Sequence, residues 1–152
     1  MRESTGDLWE KHKAGFFVVI PVNLSRKKNG HAVMGAGLAL DAAKRFPDLP
    51  VKWGRIMDRS KLMFEHDHRL ILFPTKKDWR DPASFDLIQD GAIVLQDTLS
   101  YEQSLPEWKA GLIVYLPRLG CGCGRASWPE VFPVLNEILD ERFIVLSSGA
   151  SH

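Results

Sequence analysis

The chain of 152 residues, 45% hydrophobic and 26% charged, has the makeup of one ordinary globular domain with enough apolar material for a sizeable core. Its formal net charge of +1 excludes a global electrostatic pull toward nucleic acid or membrane, so any polyanion contact must be local. Cys121 and Cys123 stand too close for a useful structural disulfide, the first residues lack a signal-peptide layout, and no apolar run nears the roughly 20 residues that span a bilayer; the expectation is a cytoplasmic monomer with no membrane partner. In chain order, residues 16–22 are a continuous apolar run rich in β-branched side chains, the pattern of a central strand. A polar loop over 23–31 leads to a helix over 35–46, with an apolar stripe of Ala36, Ala39, Leu40 and Ala43 and a stop at Pro47. Residues 51–63 read as a second helix with Trp53, Ile56 and Met57 on one side, and residues 69–73 as a strand ended by Pro74. Ser84 is the predicted N-cap of a helix whose stripe, Phe85, Ile88, Ala92, Leu95 and Leu99, keeps a period of about 3.6 residues. Residues 112–116, within the apolar run 111–117, form a strand, Ser127 caps a helix over 128–139, residues 142–146 form the last strand, and 147–152 are a small polar tail.

Strands alternating with helices predict an α/β fold: a mainly parallel central sheet covered by helices on both faces. Ligands in such folds bind beyond the C-terminal ends of the strands. Three segments follow strand ends and should converge there: Met34-Gly35-Ala36-Gly37, Thr75-Lys76-Lys77, and Leu119-Gly120-Cys121-Gly122-Cys123-Gly124. A glycine-rich turn opening a helix presents backbone N–H groups at the positive helix end, which suits phosphate. Two such loops suggest a ligand with two phosphates. The first is neither a dinucleotide fingerprint nor a Walker A loop, since Gly35-Ala36-Gly37 lacks the third glycine at the required spacing and no Gly-Lys-Ser/Thr follows.

Several motifs in order resemble the macrodomain family, whose members bind ADP-ribose. Gly6-Asp7-Leu8 is similar to the family's opening, in which the aspartate takes the adenine amino group; Asp7 also stands where a helix or turn cap would. Asn29, five residues before Met34, resembles the asparagine near the distal ribose. Residues 33–39 resemble the first pyrophosphate loop, and residues 117–122, followed by Trp128, the second. The resemblance implies a three-layer α/β/α macrodomain over 1–152 with a central mixed, mainly parallel sheet. It implies ADP-ribose as the ligand, held by Asp7, Leu8, Asn29, Met34, Gly35, Ala36, Gly37, Thr75, Gly120, Cys121, Gly122, Cys123 and Gly124, with no cofactor or metal.

Phe73-Pro74-Thr75-Lys76 with Trp79 is similar to the DarG-type branch, whose members remove ADP-ribose from DNA bases and need a lysine at the Lys76 position. A lysine beside an anomeric carbon can attack it or stabilise the departing group, and Lys77 next to it should favour the free amine. The expected partner is therefore ADP-ribosylated nucleic acid, with ADP-ribosylated protein, and a non-catalytic reader, as the alternatives. Protein-directed relatives carry an aspartate where this chain has Gly124. Asp78 or Asp81 is the available substitute for it. The segment Ser25-Arg26-Lys27-Lys28 looks longer and more basic than usual; it reads either as a solvated loop or, with Trp79 and Arg80, as a contact to a nucleic-acid backbone. Trp9, Trp53, Trp108 and Trp128 read as packing residues. Zinc held by Cys121, Cys123, His66 and His68 is disfavoured, because the one-residue cysteine spacing suits a tight loop and residues 65–68 read as an exposed turn.

Overall fold

The computed structural model describes residues 1–105 and 112–147. Trp108, Gly111 and residues 148–152 lie outside the described residues. The elements are β1 (Arg2–Thr5), α1 (Leu8–Lys13), β2 (Phe17–Asn23), α2 (Gly37–Arg45), α3 (Leu49–Ile56), β3 (Met63–Glu65), β4 (Leu70–Lys76), α4 (Phe85–Gln103), β5 (Val114–Leu116), α5 (Trp128–Ile138) and β6 (Phe143–Ser147). The six strands form one sheet in the order β1-β6-β5-β2-β4-β3, with β3 antiparallel to β4 and every other pairing parallel.

Alternation along the central strands builds two cores. Phe17 and Val19 of β2, with Ile71 and Phe73 of β4, pack under α4 and α5 through Ile88, Ala92, Leu95, Leu99, Val131 and Leu135. Val18, Ile20 and Val22, with Leu70 and Leu72, face the opposite way onto Leu8, Ala39, Ala42, Leu49 and Trp53 of α1, α2 and α3. Burial on both faces is why these strands read as unbroken apolar runs. The expected three-layer α/β/α sandwich with a mixed, mainly parallel sheet is the fold observed.

Several boundaries differ from the sequence reading. The helix expected over 51–63 ends at Ile56, where Arg59 N–H bonds back to the Ile56 carbonyl (2.8 Å); Met63 belongs instead to β3, which the antiparallel pairing with β4 creates. The helix expected from residue 35 begins at Gly37, because Ala36 is extended (φ −149°, ψ 157°). Residues 65–68 are not simply an exposed turn: Glu65 is buried, and its carboxylate accepts the N–H groups of Asp67 and His68. Ser127 occupies the N-cap of α5, but its hydroxyl donates to Glu130 Oε1 (2.8 Å) rather than accepting from the helix; Ser84 does cap α4, accepting from Leu87 N–H. Phe85, in the first turn of α4, stays exposed although it belongs to the predicted stripe.

Candidate active site

β2, β4 and β5 end on the same side of the sheet, and a cavity of about 540 Å³ opens over their C-terminal ends. Its floor is Pro21, Val22 and Asn23 from β2, Thr75 and Lys76 from β4, and Pro117 just past β5. Gly35, Ala36 and Gly37 wall one side; Gly120, Gly122, Cys123 and Gly124 wall the other. The two loops touch, since a Cβ on Gly37 would lie 3.3 Å from Cys123 Sγ. A cavity of this volume lies in the range of small-molecule sites.

The first loop works through a helix start. Ala36, the N-cap of α2, supplies no side-chain cap, and Gly37, Leu38 and Ala39 of the first turn of α2 line the cavity. The second loop works through backbone folding. Ala126 N–H donates to the Gly120 carbonyl (2.8 Å) and Arg125 N–H to that of Gly122 (3.0 Å), curling residues 120–126 tightly. Among the described residues, nothing accepts from the N–H groups of Gly122, Cys123 or Gly124. Gly124 is enforced sterically: a Cβ there would sit 2.5 Å from the Gly120 carbonyl oxygen and 2.9 Å from Ala83 Cβ. An aspartate cannot occupy this position without rebuilding the loop.

Lys76 and Arg118 are the charged residues of the lining, and no carboxylate is part of it among the described residues. Lys76, half-buried at the end of β4, donates from Nζ to the Trp79 carbonyl (3.3 Å); Lys77 beside it is exposed and off the wall. Arg118 leans on the Trp128 ring, 5.5 Å from its centroid. Asp78 lies off the wall, and the Arg80 guanidinium bonded to it holds its carboxyl down at about 2. It is ionised and committed to Arg80 through the neutral range.

The wall thus unites Gly35, Ala36, Gly37, Thr75, Lys76, Gly120, Gly122, Cys123 and Gly124 of the residues read from the sequence. It leaves others outside. Leu8 and Met34 are core residues, and Cys121 turns its thiol to the Leu119 carbonyl (3.6 Å), where burial pushes the thiol pKa up. Asp7 is exposed and caps α1, accepting Trp9 N–H at 2.8 Å. Asn29 lies in an exposed turn, its Oδ1 on His31 N–H (3.0 Å). Asn23 stands in the wall instead, at the bulge where β2 shifts register against β4. Position marked it, directly after the apolar strand run. Trp79 is also in the wall, 54% exposed, with the Arg80 guanidinium 5.6 Å from its ring centroid. Of the basic segment, Arg26 is spent internally: it pairs with Asp58 (2.9 Å) and donates to the Gly54 carbonyl (2.7 Å).

No family model matches the chain. A DNA ADP-ribosyl glycohydrolase of Thermus aquaticus is 32% identical over 123 residues, 74% of this chain and 32% of the relative. The chain therefore spans about a third of the length of the curated relatives it matches. The solved macrodomain of Thermus aquaticus DarG superposes with a TM-score of 0.68 at 28% identity, covering 97% of this chain and 96% of that one. The chain belongs to the DarG-type macrodomains. The Thermosipho africanus DarTG structure, solved in complex with ADP-ribose, shares the fold over 100% of this chain and 43% of its own, with a TM-score of 0.72 and 22% identity. Within this macrodomain the two glycine loops, Asn23 and Lys76 form one concave surface, and no helix of the described residues is long and apolar enough to cross a membrane.

Proposed function

We propose that this macrodomain binds ADP-ribose in the cavity over β2, β4 and β5 and removes it from a modified nucleic-acid base, with Lys76 as the catalytic group. The observation that carries the reading is the amine of Lys76 in the same wall as both glycine loops, with no carboxylate in the lining among the described residues. The N–H groups of residues 35–37 and 122–124 hold the diphosphate. Asn23, at the strand end beside Lys76, takes the contact to the distal ribose that the family resemblance implied for Asn29. Asp7 keeps the contact to adenine. Lys76 then faces the anomeric carbon. As a free amine it displaces the base, a C–N bond forming as the glycosidic bond breaks and its electron pair leaves on the base, and water then hydrolyses the ribosyl-lysine bond to free ADP-ribose and the amine; as an ammonium it gives its proton to the departing base while water adds to the anomeric carbon.

The lack of a carboxylate in the wall among the described residues disfavours a glutamate-linked protein substrate, and Asp78, tied to Arg80, does not replace it. The name of the Thermus aquaticus relative supports DNA as the substrate. The free thiols of Cys121 and Cys123 support a reducing, cytosolic setting. The test is release of ADP-ribose from a modified DNA oligonucleotide, run beside ADP-ribosylated protein, with wild type and Lys76→Ala. Lys76→Ala should lose about 100-fold or more in release while keeping ADP-ribose affinity. Release from protein alone transfers the substrate class. ADP-ribose binding without release from either makes the domain a reader.

A further inference from the structure

The segment between β2 and α2 is held firmly despite its polar sequence. Val33 N–H donates to the Ser25 carbonyl (2.9 Å), and Arg26 bridges to Ala32. Asn23 staples both arms: Oδ1 accepts Ser25 N–H (3.0 Å) and Nδ2 donates to the Val33 carbonyl (3.0 Å). The far end docks on α3, where a Cβ on Gly54 would collide with the Gly30 carbonyl oxygen. Ser25 is thereby fixed through its own backbone, and its hydroxyl faces the turn just past Lys76. That hydroxyl accepts Trp79 N–H (3.0 Å) and donates to Asp78 Oδ2 (3.3 Å). Asp78 Oδ1 accepts from Arg80 N–H (3.0 Å) and Arg80 Nε (2.9 Å), closing the turn. The Trp79 carbonyl, held in place by this turn, accepts the Lys76 amine at 3.3 Å.

We propose that Ser25 is a positioning residue for Lys76: its hydroxyl fixes the Trp79 main chain, whose carbonyl moors the lysine amine at the cavity wall. This rests on the reading of Lys76 given above. A lysine stem is flexible and loses much rotamer freedom when held, so an anchored carbonyl partner decides how often the amine stands at the reacting carbon. Among the described residues the Ser25 hydroxyl makes no hydrogen bond to either glycine loop; the link of Ser25 to residues 33–39 is the main-chain bond from Val33 N–H, which a side-chain substitution keeps. Binding and turnover therefore separate at this residue, and a hydroxyl of either serine or threonine suffices.

Wild type, Ser25→Ala and Ser25→Thr are compared in two assays. On an ADP-ribosylated DNA oligonucleotide, Ser25→Ala loses about 10- to 100-fold in kcat, the scale of a displacement near 1 Å, with KM and ADP-ribose affinity within about two-fold of wild type. Ser25→Thr recovers most of the loss. The second assay needs no turnover: acylation of Lys76 relative to exposed Lys77, read by peptide mass spectrometry, rises in Ser25→Ala and returns in Ser25→Thr. An unchanged labelling ratio overturns the proposal, as does a threonine variant as impaired as the alanine one, or a kcat loss matched by lost ADP-ribose affinity. Labelling as expected in a wild-type protein that releases nothing sinks the hydrolase reading and leaves the Ser25 tether standing.

Discussion

At the first glycine loop a Cβ added to Gly35 meets nothing within 4 Å, whereas at Gly124 of the second it meets the Gly120 carbonyl oxygen at 2.5 Å and Ala83 Cβ at 2.9 Å. Gly35 is open because the first loop is a short lead into α2, whose first turn lines the cavity. Gly124 is closed because the second loop is wound on itself and packed against the start of α4, with Ala83 N–H donating to the Gly124 carbonyl (2.9 Å). Two loops that look alike in sequence therefore need glycine for different reasons. One keeps the cavity wall clear; the other keeps space clear for its own backbone. Gly122, in the second loop but with nothing within 4 Å of its Cβ, belongs functionally with Gly35.

The sharpest way to break this comparison is Gly124→Ala. It should destabilise the fold by about 1–3 kcal/mol, the scale of overpacking a close-packed site, visible as a lower urea midpoint. A midpoint equal to wild type would show that the second loop has slack. Gly35→Ala and Gly122→Ala should leave stability within about 0.5–1 kcal/mol but weaken ADP-ribose binding about ten-fold, about 1.4 kcal/mol, by calorimetry. Unaltered affinity in both would remove the loops from the binding site. The smallest expected effect concerns the two thiols. Burial pushes the Cys121 thiol above its ordinary value, while Cys123 is exposed in the wall. A raised pKa keeps Cys121 protonated further up the pH scale, so Cys123 should be alkylated first near pH 8, and Cys121 should gain on it as pH rises. ADP-ribose should slow alkylation of Cys123 only.

Much of this site was legible in the amino-acid sequence. The unbroken apolar runs of β2, β4 and β5 located three parallel strands, and the segments just past those strand ends located both glycine loops and Lys76. The resemblance marked Asn29, whereas the structure puts Asn23 in the cavity wall: residues 25–33 form a stapled projection, and Asn29 lies in an exposed turn of it. β1 and α1 were invisible for another reason. Arg2–Thr5 is exposed throughout, with no buried face to impose alternation, and α1 has six residues, too few for a periodic stripe. The Ser25 tether leaves no sequence signature, since it joins a serine to a turn 54 positions away.

Among the described residues β1 pairs only with β6, in parallel, from Arg2 opposite Ile144 to Thr5 opposite Ser147, and the Arg2 guanidinium reaches the Glu141 carbonyl across 139 positions. A strand with so distant a partner cannot dock until β6 has been made, and loop closure over that span is slow. β1 is therefore a margin added across a far longer span than the one that separates β2 from β4. Amide protons of β1 should accordingly be among the first in the sheet to exchange with solvent, through openings that leave the strands beneath the cavity untouched.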